Sequence, residues 1–361
     1  MHQYYISDSR RAVDAKFEAQ KIAFAPIAFQ AARALRDLGI LDCVSKSGES
    51  GLVVSEVARS CGVSEYGAGV LLEMGLGMEL VKLVSLEGEP RFVLGKVGFF
   101  VLEDDMTRAN MDFTNDVCYN GAFFLEDSIR KGKPEGLKVL GSWPTIYEGL
   151  SKLSPKVQES WFRFDHFYSD VAFPEALPIV FSRKPARLFD IGGNTAKWAI
   201  SACRHDPDVN VTIIDLPGQV EMALKNVARE GLSGRVDARP CNVLSTDAFP
   251  KGANAVWMSQ FLDCFSLGEV TAISRKVADA VDADCDVYVL EPFWDKQRFE
   301  AASYSLQATS LYFTCMANGN SKMYRCQELV EAVSLGGLEL REAHHNLGAN
   351  AYSLLRFQKK R

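Results

Sequence analysis

The second half of the chain alternates short apolar stretches with segments of helical periodicity, and this alternation restricts the fold more than any other feature. Apolar stretches of strand length occupy residues 186–190, 209–215, 235–240, 255–261 and 286–291. Helical segments between them cover 197–204, 217–230 and 267–281. Such alternation predicts a parallel sheet with helices on both faces, which is a doubly wound α/β fold. The chain closes with a helix at 325–335 and two strands, 338–345 and 351–357, that predict an antiparallel hairpin.

The first part of the chain has a different pattern, in which helices precede a short hairpin. Helical periodicity covers 17–38, 55–61 and 64–77, and apolar stretches follow at 80–86 and 91–94. Helix, turn, helix and hairpin in this order predict a winged helix-turn-helix. Its second helix, 64–77, would enter the DNA major groove, yet it contains Glu65 and Glu73 and no Lys or Arg. Because DNA binding needs cations at that surface, the pattern favours packing or dimerisation over a DNA-binding regulator.

Composition excludes further classes of protein. The chain has 46 acidic and 40 basic residues and a net charge of −6, whereas nucleic-acid-binding domains are basic. Its nine cysteines are never spaced Cys-x-x-Cys, and its five histidines fall in no recognisable ligand spacing, so we predict no protein-held metal. Apolar runs end well before the about 20 residues that span a bilayer, and the N-terminal residues lack an export pattern. We therefore expect a cytoplasmic protein without a membrane segment or a nucleic-acid partner.

The middle of the chain, residues 111–182, is helical and rich in aromatic side chains. Aromatic residues at helical spacing usually form core, and some of these are expected to line an apolar pocket beside the following domain. The three patterns predict three regions. These are a winged-helix-like dimerisation domain at 1–110, a helical linker and substrate-pocket region at 111–183, and a cofactor-binding domain at 184–361.

A glycine turn, Asp190-Ile191-Gly192-Gly193-Asn194, follows the first strand of the predicted sheet. In doubly wound sheets, ligands bind where the strands end, and glycines let them approach the backbone. The second strand ends at Asp215, where a carboxylate can accept both hydroxyls of a ribose. The dinucleotide fingerprint Gly-x-Gly-x-x-Gly is incomplete, because Asn194 and Lys197 occupy its second and third glycine positions. The turn alone is also compatible with a simple tight strand-to-helix connection, but together with Asp215 it favours an adenosyl ligand.

At these residues the sequence resembles the class I S-adenosylmethionine-dependent methyltransferases, specifically the small-molecule O-methyltransferases with an N-terminal winged-helix dimerisation domain. The resemblance extends over nearly the whole chain, through residues 33–42, the glycine turn, Ile214-Asp215-Leu216-Pro217, 261–266 and 290–292. It implies a Rossmann-like methyltransferase sheet, a homodimer and S-adenosyl-L-methionine as cofactor. It also implies a cofactor site formed by Asp190, Gly192, Gly193 and Asn194 at the methionine part, Asp215 and Leu216 at the ribose, Asn242 and Val243 at the adenine, and Ser259 and Gln260 on the other side.

The position of the family's catalytic base differs in this chain. The family has a histidine shortly after the fourth strand, which deprotonates the acceptor hydroxyl, and Asp263 stands there instead. A carboxylate is a poor base for a phenol unless desolvation raises its pKa by several units. An alternative is that Asp263 caps the helix 267–281. The hypothesis from the sequence is that Asp263 or His166 acts as the base and that Glu291 orients the base or the substrate. A packed or surface histidine is the simpler interpretation of His166.

These observations predict methyl transfer to a hydroxyl of a small aromatic or phenolic acceptor. A close alternative is carbon methylation of a phenol, because a phenolate activates both its oxygen and its ortho carbon. A different alternative is a catalytically inert accessory protein that binds the cofactor, which the altered base position and the missing glycines suggest.

Overall fold

The computed structural model describes residues 5–85, 88–245 and 249–361, and these divide into two compact units that meet in sequence at Asp112 and Phe113. The first unit contains the helices α1 (Ala12–Ala23), α2 (Ala25–Asp37), α3 (Ile40–Lys46), α4 (Val54–Cys61), α5 (Glu65–Gly77) and α6 (Lys96–Glu103), with the strands β1 (Val81–Ser85) and β2 (Arg91–Leu94) before α6. The helix α7 (Asp105–Phe113) ends at the division.

Local sequence determines where these elements begin and end. The predicted helix 17–38 is divided at Phe24, because Pro26 stands in the first turn of α2, where its missing N–H is not needed. Gly39 adopts a φ of +75° after α2, and Ser64 caps α5 by accepting the N–H of Gly67 at 3.0 Å. The strands β1 and β2 pair antiparallel, as predicted. Leu86, the predicted end of the first stretch, lies outside the described residues.

The second unit is built around a sheet of seven strands. They are β3 (Arg187–Ile191), β4 (Asn210–Asp215), β5 (Val236–Pro240), β6 (Ala255–Ser259), β7 (Asp286–Glu291), β8 (Leu338–Leu347) and β9 (Tyr352–Lys359). Their order is β5-β4-β3-β6-β7-β9-β8, in which the first five strands are parallel and β9 and β8 are antiparallel. Since β4 and β6 lie on opposite sides of β3, the strand order reverses there, and this reversal is where such sheets bind ligands.

Helices connect and extend this sheet. Before it come α8 (Leu125–Lys131), α9 (Ile146–Gly149), α10 (Pro155–Ser169) and α11 (Phe173–Phe181). Between and after its strands come α12 (Lys197–His205), α13 (Pro217–Arg229), α14 (Leu267–Ala280), α15 (Glu300–Tyr312) and α16 (Cys326–Leu335). The strand β7 is buried along its whole length, as expected for a strand covered on both faces. No helix in the described parts of the chain combines the length and apolarity that crossing a bilayer requires.

Aromatic residues of the predicted aromatic-rich region 111–182 form a second core together with residues at the end of α15. Phe113, Trp161, Tyr312 and Phe313 are buried in it, and Trp161 donates its Nε1–H to the hydroxyl of Tyr312 at 2.8 Å. Phe123, from the same aromatic-rich region, differs because its side chain is exposed. The region 111–182 therefore supplies core residues, and some of the same side chains form the wall of the cavity described next.

Candidate active site

A cavity of about 520 Å³ lies in the second unit, at the carboxyl ends of β3, β4 and β6. The segment after each of these strands contributes to its lining. The end of α7, the helix α10, and α15 with the residue after it supply the aromatic side. The lining includes Gly192, Asn194, Asp215, Leu216, Asn242, Val243, Gln260 and Asp263 from the sheet side, and Phe113, Trp161, Phe164, Asp165, Tyr168, Tyr312 and Phe313 from the helical side. The structure thus brings most of the predicted cofactor residues to one surface that faces an aromatic wall.

Steric limits explain the glycines of the turn after β3. Gly192 has a φ of +75°, and a Cβ placed there would lie 2.3 Å from Cδ2 of Phe261. A Cβ at Gly193 would lie 2.8 Å from Cγ2 of Ile213. Both positions therefore require glycine for packing. Asn194 follows with a φ of +47°, a left-handed conformation that asparagine tolerates better than most residues.

Asp215 is held by the backbone at the end of β4. Its Oδ2 accepts the N–H of Asn194 at 2.9 Å, and its Oδ1 accepts the N–H of Leu216 at 2.7 Å. Burial raises the pKa of Asp215 to about 6, and the two N–H donors oppose this rise. An ionised carboxylate has about four acceptor sites, so Asp215 retains acceptor capacity toward the cavity that it lines.

Asp190, Gly193 and Ser259 are not among the residues that line the cavity. The side chain of Asp190 is 2 % exposed, and burial together with the charge of Asp215 raises the pKa of Asp190 to about 8. Within the described part of the chain, Oδ2 of Asp190 and Oγ of Ser259 have no hydrogen-bond partner. Near neutral pH, Asp190 is therefore a mostly neutral acid beneath the glycine turn.

The loop after β5 contributes to the cavity lining. Asn242 and Val243 line it, and Oδ1 of Asn242 accepts the N–H of Leu244 at 3.0 Å. Nζ of Lys276 donates to the carbonyl oxygen of Val243 at 2.9 Å. The loop is thus anchored to α14 before residue 246, and residues 246–248 lie outside the described chain.

Asp263 lies in a short turn, Leu262–Cys264, and lines the cavity. Its side chain is 5 % exposed, and burial raises its pKa to about 7, with a further contribution from the charge of Asp165. The predicted alternative that Asp263 caps the following helix is wrong, because Ser266 caps α14 by accepting the N–H of Glu269. Burial supplies the raised pKa that a carboxylate needs to act as a base near neutral pH.

Glu291, at the end of β7, contacts the backbone of this turn. It is 1 % exposed, and its Oε1 accepts the backbone N–H groups of Phe261 at 3.1 Å and Leu262 at 2.9 Å. Burial and the nearby charge of Asp263 raise the pKa of Glu291 well above its usual value. Glu291 is not part of the cavity lining, so its contact with the site runs through the backbone that carries Asp263.

His166 lies on α10 outside the cavity lining. Its Nδ1 is 3.7 Å from Oδ1 of Asp170, its Nε2 is 3.4 Å from Oγ1 of Thr195, and its ring stacks on Phe162. The neighbouring residue Asp165 lines the cavity instead. Successive residues of an α-helix point about 100° apart, which separates the two side chains.

Asp165 is a functional candidate that the sequence prediction missed. Its Oδ2 accepts Nδ2 of Asn194 at 3.2 Å, and its Oδ1 accepts Nε2 of Gln260 at 3.5 Å. It therefore connects α10 with the turns after β3 and β6. A signal was present in the sequence: Trp161, Phe164, Asp165 and Tyr168 have the spacing i, i+3, i+4 and i+7 of one helical face, and His166 does not fit this spacing.

Comparisons with known proteins agree with this architecture. A family model described as a Dimerisation2-like domain matches residues 16–89, and one described as an O-methyltransferase domain matches residues 124–333. The L-tyrosine C(3)-methyltransferase of Streptomyces lavendulae is 23 % identical over 320 residues, which cover 88 % of this chain and 85 % of that protein.

Two solved structures share the fold. The apo form of the S-adenosylmethionine-dependent methyltransferase SibL has a TM-score of 0.70 and 24 % identity, covering 94 % of this chain and 98 % of that one. The O-methyltransferase NcsB1 from neocarzinostatin biosynthesis, solved with S-adenosylmethionine and 2-hydroxy-5-methyl naphthoic acid, has a TM-score of 0.63 and 21 % identity, covering 92 % and 95 %.

Proposed function

Because the chain belongs to the O-methyltransferase domain family and is a methyltransferase, we propose that it methylates a hydroxyl of a small aromatic acceptor with S-adenosyl-L-methionine as donor. The observation that carries this proposal is a cavity in which the glycine turn and Asp215 face an aromatic wall, with Asp263 in the same lining. One end of the cavity suits a nucleoside and the other suits a flat apolar ring.

The residues at the sheet side fit the cofactor by their chemistry. Asp215 has acceptor capacity for ribose hydroxyls, and Leu216 follows it in the lining. We assign the methionine part to the turn of Gly192, Gly193 and Asn194 above Asp190, the adenine to Asn242 and Val243, and the opposite edge to Ser259 and Gln260. When bound, the cofactor supplies a sulfonium methyl group that is open to in-line attack.

Asp263 is the residue that we assign as base. Its carboxylate accepts the proton of the acceptor hydroxyl, the oxygen lone pair bonds to the methyl carbon, and the carbon–sulfur bond breaks with its electrons passing to sulfur. Burial keeps the pKa of Asp263 at about 7, so the ionised form is available near neutral pH. Glu291 positions Asp263 through the two N–H groups that it accepts. His166 remains the alternative base, and its position outside the lining favours Asp263.

Calorimetry and product analysis test the proposed function. We expect S-adenosyl-L-methionine to bind the purified protein, and we expect mass spectrometry to find a product 14 mass units heavier among candidate phenols. Asp215→Ala should weaken cofactor binding by at least about tenfold, because bonds to a charged acceptor are lost. Asp237→Ala, which removes an exposed carboxylate from β5, is the matched control. A folded protein that binds no cofactor would overturn the proposal.

Carbon methylation is a second candidate, and a specific observation favours it. The relative that aligns over 88 % of this chain is a C(3)-methyltransferase of tyrosine. Asp263 would serve this reaction equally, because removal of the phenol proton activates the ortho carbon. Proton NMR of the product distinguishes the two reactions: a methyl ether indicates O-methylation, whereas a ring methyl with a free hydroxyl indicates C-methylation. Cofactor binding without any product would instead favour the accessory role.

We further propose that the protein acts as a homodimer. The Dimerisation2-like match at residues 16–89 supports this assembly and falls inside the proposed dimerisation domain 1–110. The proposal keeps 111–183 as the substrate-pocket region and 184–361 as the cofactor-binding domain. Light scattering at several concentrations measures the mass directly.

A further inference from the structure

The charge of the cavity lining has a single sign. Among the described residues that form it, the ionisable side chains of strong charge are all acidic, and none is Lys, Arg or His. The acidic members are Glu148, Asp165, Asp215, Asp263 and Glu269. A low-dielectric cleft lined by one sign of charge concentrates ligands of the opposite sign.

Three of these acids have other roles or lie in solvent. Asp215 is held at the cofactor end by two backbone N–H groups. Glu269 accepts the N–H and the hydroxyl of Ser266 at the start of α14. Glu148 is exposed. Asp165 and Asp263 are therefore the acids that face the interior of the cavity.

Aromatic rings surround the same region. The ring of Phe164 lies 3.9 Å from that of Phe113 and 4.9 Å from that of Tyr168, measured between centroids. Tyr312 meets Phe113 edge to face at 4.9 Å. Aromatic faces attract cations, and rings combined with a carboxylate are how proteins recognise ammonium groups. This aromatic wall is an observation independent of the acidic side chains, and both favour a positively charged ligand.

Neutral amides orient Asp165 in this wall. Asn194 and Gln260 donate to its two oxygens, and Gln260 in turn accepts the hydroxyl of Tyr352. Two amide donors hold the side chain of Asp165 in one orientation at the cavity lining. Burial raises its pKa, and a cationic ligand beside it would favour the ionised form.

We infer that the acceptor carries a protonated amine besides its reacting ring and that the carboxylate of Asp165 binds this amine against the aromatic wall. This inference rests on the proposed function and names the substrate class of the same site. It assigns separate tasks to the two interior acids: Asp263 receives the hydroxyl proton, and Asp165 selects the charge of the acceptor. Acceptors with a carboxylate near this position are disfavoured by repulsion from both.

The first test compares three phenols that are similar in size and differ in charge: tyramine, 4-ethylphenol and 4-hydroxyphenylacetate. Calorimetry measures the binding of each to the wild-type protein loaded with S-adenosyl-L-homocysteine, so the result does not depend on turnover. We expect tyramine to bind most tightly and 4-hydroxyphenylacetate most weakly, with at least about a tenfold difference. Equal or tighter binding of the carboxylate, or no binding of tyramine, overturns the inference.

The second test uses Asp165→Asn, which removes the charge at nearly constant shape. We expect the ratio of tyramine affinity to 4-ethylphenol affinity to fall by at least about tenfold. Glu159→Gln is the matched control, since Glu159 is exposed on the same helix and pairs with Arg163. An unchanged ratio overturns the inference, and so does weaker binding of both S-adenosyl-L-methionine and S-adenosyl-L-homocysteine with an unchanged ratio, which would assign Asp165 to the cofactor.

The two proposals fail in different ways. Loss of the charge preference in a protein that still binds S-adenosyl-L-methionine overturns the amine-bearing acceptor and leaves methyl transfer in place. A wild-type protein that binds neither form of the cofactor overturns both.

Discussion

Asp263 occupies a position where the sequence alone suggested a weak base and burial changes that expectation. Its pKa is raised to about 7 because its side chain is removed from water and Asp165 lies nearby. Asp165 itself was not predicted, although the helical phase of α10 contains it. Residues that belong to a sequence motif, such as Gly192 and Asp215, were thus predicted. Asp165 was missed because its role depends on which face of α10 lines the cavity.

The pH dependence of turnover tests the role of Asp263. An acid with a raised pKa is protonated below that value, so we expect kcat to fall as pH decreases through about 7 and to level off above it. Asp263→Asn should lower kcat by about 100-fold or more and abolish the transition. His166→Gln is the comparison variant and should keep the transition. If both variants retain wild-type rates, neither residue is the base.

Gly192 gives a prediction about packing. An alanine there would combine a φ of +75° with a Cβ placed 2.3 Å from the ring of Phe261. We expect Gly192→Ala to lower the free energy of unfolding by about 2 kcal/mol or more and to weaken cofactor binding. Gly234→Ala is the control, because nothing lies within 4 Å of a Cβ at that position. Chemical denaturation measures both, and equal stabilities would contradict the steric argument.

The sequence predicted the helices and strands more completely than the turns that follow the strands and the order of the strands in the sheet. The glycine turn, the alternation of strands and helices and the final hairpin all follow from local pattern. The strand predicted at 255–261 ends at Ser259, because Gln260 adopts a φ of +46° and turns the chain toward the cavity. The strand order β5-β4-β3-β6-β7-β9-β8 depends on pairing between distant segments, which no local pattern contains. The link from β7 to the turn of Asp263 through Glu291 arises from the same long-range pairing.

This link makes a prediction about Glu291. Burial raises its pKa well above the usual value, which favours the neutral form, so a glutamine is its close substitute. We expect Glu291→Gln to keep the stability and pH profile of the wild type. Glu291→Met should lower the free energy of unfolding by about 2 kcal/mol or more, because two buried N–H groups lose their acceptor. Thermal denaturation compares them, and a large loss in the glutamine variant would indicate that Glu291 is ionised.

In a single copy of the protein, several large apolar side chains near the start of the chain are exposed to solvent. Phe17, Ile22 and Ile27 on the first two helices, and Phe24 between those helices, are exposed. An apolar surface of this kind marks an interaction site in soluble proteins. Their location within the Dimerisation2-like match at 16–89 suggests that a second copy covers them.

The double variant Ile22→Asp/Ile27→Asp tests the assembly. Charged side chains in an apolar interface are costly to bury, so we expect light scattering to report a monomer at concentrations where the wild type is a dimer. Phe123→Asp, at an exposed site of the second unit, should remain a dimer. A monomeric wild type at high concentration would rule out the homodimer.

The neutral acid beneath the glycine turn also links cofactor binding to proton release. Asp190 has a pKa of about 8, so near pH 7 it carries a proton that a nearby cationic ligand would expel, whereas Asp215, with a pKa of about 6, is mostly ionised there. Binding would then strengthen as pH rises toward 8, and its calorimetric enthalpy would differ between phosphate and Tris buffers by the heat with which each buffer takes up that proton. The pH of the cell would therefore change the fraction of the enzyme that has cofactor bound before an acceptor binds.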